Sequence, residues 1–530
     1  SIPKLDICSS HDVNEAAETL TSWLQQLNAQ ATTTRKITDP STNNSFAWYN
    51  KELKSLKVQL DYSKGPARSV LRNKYVAKIR RAKKIYFQKL AIKNKKRGGV
   101  WRVLKQAPKN IEWELDINGS VTKDEGIIAE HFKESFCTKV NNLRKEPHLQ
   151  KIFDKLSSVF PSPPTWDIPI IAREDVLKCI DDLRYSASSG PDGISNRLIK
   201  TLKFEIVDPL LQIINGSAAH GIFPDIWKKG FVSPIHKKSL SNNYRPVVLM
   251  SCLGKVLEAV IRAKFTDHLS LIIPENMFGF QAGKSTGDAI VAVLDQVKSL
   301  RSQGLKTCLL SMDASSAFDL VSHQLIIGSL SRLGVGKKML DWTASFLKNC
   351  SLSVKINDKL SSSWSPDIGA GQGRRCSPDI YNVSTLTAVF WCLLSFFVGF
   401  ADDGIDVVSG KTIEECETNA QRVLEARIEW YNCAGLALNP GKTVYMGIGF
   451  EPNPLCIDGT FIKASSSLKF LGISIQSNLS WDHTVDSLCN RLRFAASRIR
   501  SEGKFFDCWD KKKLFNGWAL GPLHASALAF

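Results

Sequence analysis

Acidic residues are almost missing from one stretch of this chain of 530 residues. Between Lys51 and Lys109 stand twenty Lys and Arg, opposed only by Glu52 and Asp61, a local charge of +18. The whole chain carries 70 basic and 51 acidic residues, net +19, so everything outside that stretch sums to about +1. Long apolar runs are missing as well. The longest, Leu386 to Ala401, falls short of the roughly 20 residues that a membrane helix needs, so it reads as core. No Cys-x-x-Cys pair occurs among the thirteen scattered cysteines, an odd number. That excludes a disulfide scaffold, offers no zinc-ligand spacing and reads as reduced thiols of an intracellular protein. There is no internal repeat and no low-complexity block. No signal-peptide pattern opens the chain. It begins at Ser1 rather than Met and reads as a portion of something longer. With 43% apolar residues, disorder throughout is excluded. The length allows two to four domains at roughly 150 residues each.

What is present begins with the basic stretch. From Ala67 to Lys96 the pattern is helical: Leu71, Tyr75, Ile79, Ala82, Tyr86 and Leu90 form one apolar stripe. Basic residues fill the rest of the circumference, and Gly98-Gly99 ends the pattern. A solvated basic helix docked by its stripe is the plain reading. A polyanion bound along the outer face is the other, because nearly unopposed cations repel one another without a counter-anion. Nucleic acid is the first such partner and an anionic membrane surface the second.

The remaining organisation is coarser. Residues 1–50 are polar and mixed, with weak structure signals. Residues 51–110 hold the basic helical arm, and 111–165 read as an α-rich connector closed by Pro161, Pro163 and Pro164. From Trp166 to about 475, short β-type runs (Gly230–His236, Thr307–Met312, Ser351–Ile356, Val398–Ala401, Lys469–Ile475) alternate with helical stretches, an α/β (α+β) body. Beyond Trp481 the chain reads as helical.

Two acidic motifs carry chemistry. The apolar run Leu309-Leu310-Ser311-Met312 delivers Asp313 at its end, before Ala317-Phe318-Asp319. Phe396-Phe397-Val398-Gly399-Phe400-Ala401 delivers Asp402-Asp403 before Gly404, which reads as a hairpin with the acids at its tip. Carboxylates at the ends of apolar strands need cations or exposure. Two Mg²⁺ ions suit them, because Mg²⁺ takes hard oxygen ligands and shares substrate phosphates. Each motif alone is also what a solvated turn looks like.

The sequence around them makes the pattern specific. Phe400-Ala401-Asp402-Asp403 resembles the metal-binding signature of reverse transcriptases, and Asp313 with Ala317-Phe318-Asp319 resembles their first metal motif. Other blocks follow in that family's order. They are Ser189-Gly190-Pro191-Asp192-Gly193-Ile194, Pro234-Ile235-His236-Lys237-Lys238 with Asn243-Tyr244-Arg245-Pro246-Val247, and Phe278-Gly279-Phe280-Gln281-Ala282-Gly283-Lys284. Gly371-Gln372-Gly373 with Ser377-Pro378, then Gly435-Leu436-Ala437-Leu438-Asn439 with Lys442-Thr443, and Phe470-Leu471-Gly472-Ile473 complete the set. The style is that of non-LTR (LINE-type) retrotransposon reverse transcriptases, and the likeness covers roughly Trp166 to Phe530.

That resemblance implies a right-hand polymerase: fingers with the start of the palm over 166–300, palm over 301–477, and a helical thumb over 478–530, truncated at its end. The basic α-helical N-terminal extension precedes it. It implies RNA-directed DNA polymerase activity, extending a primer 3′-OH with dNTPs in target-primed reverse transcription. Asp313, Asp402 and Asp403, with the Ala314 carbonyl, would hold two Mg²⁺, with Mn²⁺ as a substitute. Lys237 and Arg245 would grip the triphosphate. Phe318 would exclude a 2′-OH, Gln372 would touch the nucleotide, Gly373 would admit the template backbone, and Lys442 would protonate the leaving pyrophosphate. Arg72, Lys78, Arg80, Arg81, Lys83 and Lys84 would bind template RNA through its phosphates. Two departures from the family stand out: Gln281 and Lys284 where Arg is usual, and Arg374-Arg375-Cys376 where small apolar residues are usual. The partners implied are template RNA, primer or target DNA and dNTP, without a membrane, and with any endonuclease outside this chain. The setting implied is intracellular, a cytoplasmic ribonucleoprotein and the nucleus. The alternatives are a non-catalytic RNA-binding scaffold of the same fold, or a telomerase or group II intron maturase relative.

Overall fold

The computed structural model describes residues 5, 7, 9–31, 48–93, 113–117, 119–186, 188–236, 244–457, 459–503 and 506–520. The chain divides into two compact units, Ser1–Thr32 with Trp113–Ser480 and Thr33–Glu112 with Trp481–Phe530. This division sorts the charge. The smaller unit holds 30 Lys and Arg against 9 acids, the larger 40 against 42.

The first helix, α1 (Ser10–Ala31), lies in the larger unit, in a stretch whose sequence carries only weak structure signals. Its Ala17, Leu20 and Leu24 are fully buried, and Thr21 accepts a hydrogen bond from Trp227 Nε1 at 3.1 Å. In chain order the strands are β1 (Leu115–Ile117), β2 (Ser120–Thr122), β3 (Lys229–His236), β4 (Tyr244–Met250), β5 (Lys306–Ser315), β6 (Ser351–Ile356), β7 (Lys359–Leu360), β8 (Ser395–Phe400) and β9 (Asp403–Gly410). Six more follow: β10 (Ala437–Leu438), β11 (Val444–Gly447), β12 (Leu455–Ile457), β13 (Thr460–Ile462), β14 (Ser467–Phe470) and β15 (Ile473–Gln476).

One sheet runs β4-β3-β6-β7, with β3 antiparallel to β4 and parallel to β6. A second sheet is antiparallel, in the order β10-β5-β9-β8, with β11 also paired to β5, and β1-β2, β12-β13 and β14-β15 are separate two-stranded pairs. Thr307, Cys308, Leu309 and Leu310 of β5 are fully buried, and helices Thr286–Ser302 and Ile413–Ala434 pack on the strand. A strand covered in this way can be an unbroken apolar run rather than an alternating one. The run Lys469–Ile475, which reads as one strand, is instead the β14–β15 hairpin. Its two turn residues, Leu471 and Gly472, have φ of +48° and +88°, the paired positive values of a tight hairpin turn.

An ion pair ties the helix Ile413–Ala434 to this sheet. Arg427 donates from Nε to Asp406 Oδ2 at 2.9 Å and from Nη2 to Oδ1 at 2.7 Å, and both side chains are buried. Ser395 adds a third donor to Asp406 at 2.6 Å, Arg427 also donates to the Ala388 carbonyl, and its guanidinium lies 4.3 Å from the Phe397 ring centroid. Asp406 is therefore fully satisfied, which a buried carboxylate requires.

The smaller unit contains α2 (Lys51–Tyr62), α3 (Pro66–Lys93) and helices Asp482–Glu502 and Cys508–Phe515. The α3 stripe from Leu71 to Leu90 is half-buried, as its spacing predicts. Phe87 and Leu90 pack on the buried Phe506 and Leu514, so α3 and the C-terminal helices share one small core.

Removing one partner of a buried pair leaves an uncompensated charge, whereas replacing both does not. Arg427→Met is expected to cost on the order of 3–5 kcal/mol in urea unfolding. The double variant Arg427→Met with Asp406→Leu is expected to recover most of that loss; equal losses in both would show that the pair does not hold the sheet.

Candidate active site

The register of β5 on β9 places Asp313 directly opposite Asp403, the last pair of that ladder. Phe400 faces Asp403 across the β8–β9 hairpin, so Ala401 and Asp402 form a two-residue turn, with Ala401 at φ +58°. The acids do sit at a hairpin tip, and the first acid sits beside them on the neighbouring strand. The sheet is antiparallel, so this position follows from the hairpin rather than from a parallel α/β layout.

A third segment fixes the turn. Gly399 donates its backbone N–H to the Asn276 carbonyl at 3.0 Å, and its own carbonyl accepts from Phe278 N at 2.8 Å. Asn276 Nδ2 donates to the Phe397 carbonyl at 2.8 Å, and the buried Asn382 donates to the Gly279 carbonyl at 2.8 Å. Lys284 closes the segment from behind, donating to the carbonyls of Glu275 (2.7 Å) and Met277 (3.1 Å). This departure from the family pattern thus faces the protein's own backbone. Gly279 must be glycine, because a Cβ there would come within 2.2 Å of Ala401 N.

The charges at the tip are poorly balanced. Asp403 reaches solvent, yet loss of hydration to the surrounding protein, then the negative charges of Asp402 and Asp313, push its carboxyl up to about 6. Lys442 pulls the other way, donating to Asp313 Oδ2 at 2.5 Å. Burial, and then neighbours that include all three acids, raises the hydroxyl of Tyr381 well above the ordinary tyrosine range. Phe318 stacks on the Tyr381 ring at 4.3 Å between centroids and meets Phe280 edge-on at 6.0 Å.

The other expected residues sit as follows. Ala314 is buried in β5, opposite Leu438. Gln372 Nε2 donates to Asp319 at 3.4 Å, and its carbonyl accepts from Val248 N at 3.3 Å. A Cβ on Gly373 would come within 2.8 Å of the Val248 carbonyl, so its close approach is to β4. Arg245 is exposed on β4, paired with Ile235 on β3. Lys237 lies outside the described residues. On α3, Arg72, Arg80, Arg81 and Lys84 are exposed, while Lys78 pairs with Glu52 and Lys83 lies 4.4 Å from the Trp48 ring centroid.

Asn276, Asn382 and Asp406 escaped sequence reasoning. Asp406 carried a signal, an acid inside the apolar run Ile405–Val408, which must be paired. Three ligand-type side chains within 4.8 Å of one another occur, among the described residues, only at His11, Asp12 and Glu15, an exposed group at the start of α1. The three aspartates stand wider than that, with the Lys442 ammonium on Asp313.

Acids gathered at a hairpin tip, an aromatic stack beside them and a lysine on one carboxylate make up one candidate site. Residues 235–475 match the family "Reverse transcriptase (RNA-dependent DNA polymerase)". The chain is 24% identical over 412 residues to the probable RNA-directed DNA polymerase from transposon BS of Drosophila melanogaster, covering 72% of this chain and 44% of that protein. It is 24% identical over 357 residues to the RNA-directed DNA polymerase from mobile element jockey of the same fly, covering 64% and 39%. The apo telomerase structure from Candida tropicalis, truncated from its C-terminal domain, shares 14% identity at a TM-score of 0.37, covering 48% of this chain and 54% of that one. Over residues 235–475 the chain is similar to reverse transcriptases, and it spans less than half the length of these curated relatives.

Filling a space that does not exist costs about 1–3 kcal/mol. Gly279→Ala is expected to lower stability by that order in urea unfolding and to speed exchange of the Gly399 amide; unchanged exchange there would remove the clamp from the account.

Proposed function

We propose that this chain is the polymerase portion of a LINE-type retroelement protein, extending a primer 3′-OH with dNTPs on an RNA template. The observation that carries this reading is the juxtaposition of Asp313 with Asp402 and Asp403 at one end of the antiparallel sheet. A set of hard carboxylate oxygens, one of its carboxyls lifted by lost hydration and then by its acidic neighbours, fits a divalent cation. Asp313, Asp402 and Asp403, with the Ala314 carbonyl, would hold Mg²⁺ or Mn²⁺. When bound, such ions supply an activated 3′-hydroxyl and neutralise the triphosphate. Lys442, displaced from Asp313, holds a proton where pyrophosphate leaves. Phe318, backed by Tyr381, walls the nucleotide sugar, and Lys237 with Arg245 holds the phosphates. Most of the rate then comes from positioning and charge.

In this reading the β3–β4 sheet belongs to the fingers, the β5–β9 sheet is the palm, the helices beyond Asp482 are the thumb, and α2–α3 is the RNA-binding arm. Target DNA nicked by an endonuclease outside this chain would supply the primer. The protein would act in a cytoplasmic ribonucleoprotein and in the nucleus. The carboxylates favour this over a scaffold, which has no use for three clustered acids.

Extension of poly(rA)/oligo(dT) with dTTP and Mg²⁺ is expected for the chain and not for Asp402→Ala. Incorporation no higher than in that variant would refute the polymerase. For the arm, RNA affinity is expected to fall with salt at a log–log slope made steeper, by on the order of 4 to 5, by six phosphate contacts. Replacing Arg72, Lys78, Arg80, Arg81, Lys83 and Lys84 with Gln removes that contribution. An unchanged slope would leave α3 a solvated helix.

A further inference from the structure

Beside the acids stands one side chain that the extension chemistry leaves without a role, Phe280. It is 41% exposed and sits at φ +61°, a left-handed backbone that a bulky side chain rarely adopts. Its chain neighbours hold it there. The Gly279 carbonyl accepts from the buried Asn382, the Phe278 N–H donates to the Gly399 carbonyl, and Gly279 lies too close to Ala401 for any side chain. Ser316 at φ +52°, just past β5, and Ala401 at φ +58°, next to Asp402, share this strained region. Such backbone persists where the surrounding structure over-determines it, and it gathers at functional sites.

What Phe280 touches is Phe318. The two rings meet at 88° with 6.0 Å between centroids, while Tyr381 covers the face of Phe318 at 17° and 4.3 Å. Exposure rises along the three rings, from buried Tyr381 through half-buried Phe318 to exposed Phe280. The backbone of Phe318 is held separately, its carbonyl accepting from Ala370 N at 2.8 Å. A backbone bond does not set side-chain torsions. One ring on the face and another meeting it edge-on do, because rotation out of the staggered well loses both contacts. The spacing of those two rings is itself fixed. Asn382 follows Tyr381 and Gly279 precedes Phe280, so the 2.8 Å hydrogen bond between Asn382 and Gly279 ties the two ring-bearing segments together.

We propose that Phe280 is a positioning residue for sugar selection. With Tyr381 it forms a clamp of set width that holds the Phe318 ring in the one orientation that bars a 2′-OH. The inference rests on the reading of Phe318 as the wall beside the nucleotide sugar.

The test compares kcat/KM for dTTP and for UTP on poly(rA)/oligo(dT), using the full chain. Phe318→Ala is the reference and is expected to lower the dTTP-over-UTP ratio. Phe280→Leu, at an exposed position, is expected to lower it by roughly three- to tenfold, the weight of one lost rotamer preference, through the KM for UTP rather than its kcat. Phe280→Tyr keeps the ring and is expected to keep the ratio. A para-fluorophenylalanine placed at position 318 alone reports the ring without nucleotide or metal. Its fluorine NMR relaxation dispersion is expected to be flat in the parent chain and in Phe280→Tyr, and to show exchange in Phe280→Leu. A parent chain that extends no primer, or a Phe318→Ala ratio equal to the parent's, would remove the polymerase or the sugar wall, and the clamp with it. A ratio lowered in Phe318→Ala but unchanged in Phe280→Leu would overturn the clamp alone. So would an equal loss in Phe280→Tyr, or flat dispersion in Phe280→Leu.

Discussion

Three carboxylates at one end of one sheet repel each other, and much of the larger unit is arranged to keep them there. The register that sets Asp313 opposite Asp403 is the constraint on which the site depends. A slip of one residue along β5 would turn Asp313 to the other face, because side chains alternate along a strand. The register is held on both sides. β11 pairs along the buried part of β5 from one edge, and the Asn276–Gly279 segment seats the Asp402 turn against β8 from the other. Beneath the tip, the Arg427–Asp406 pair links β9 to the long helix that backs the sheet.

Charge follows the same division of labour. The larger unit is close to neutral because its acids and cations offset each other, and the excess lies almost wholly in the smaller unit. Basic α3 lies there with the C-terminal helices, although they come from opposite ends of the chain.

Much of this was legible from residues alone. The apolar runs before Asp313 and Asp402 marked strands ending in acids, and the 4, 4, 3, 4, 4 spacing in α3 marked its docked stripe. What was not legible depended on partners distant in sequence. Nothing near Asn276 or Asn382 says that each will cap a backbone carbonyl more than 100 residues away. Lys284 is legible only as a Lys where the family usually has Arg; that it turns inward onto the carbonyls of Glu275 and Met277 depends on how the segment folds back. Nor does the sequence around Gly373 say that it lies against β4, where a Cβ would meet the Val248 carbonyl. Lys469–Ile475 reads as one strand because Leu471 in a left-handed turn is costly for a side chain, and no local pattern announces it.

The central claim is that Asp313, Asp402 and Asp403 together hold a divalent ion. Fe²⁺ placed at such a site, with ascorbate and peroxide, generates hydroxyl radicals that cut the backbone beside the bound ion. The account predicts fragments ending near Asp313 and near Asp402, both absent in Asp402→Asn. Cleavage confined to other positions, such as the His11–Glu15 group, or the same fragments in Asp402→Asn, would contradict it.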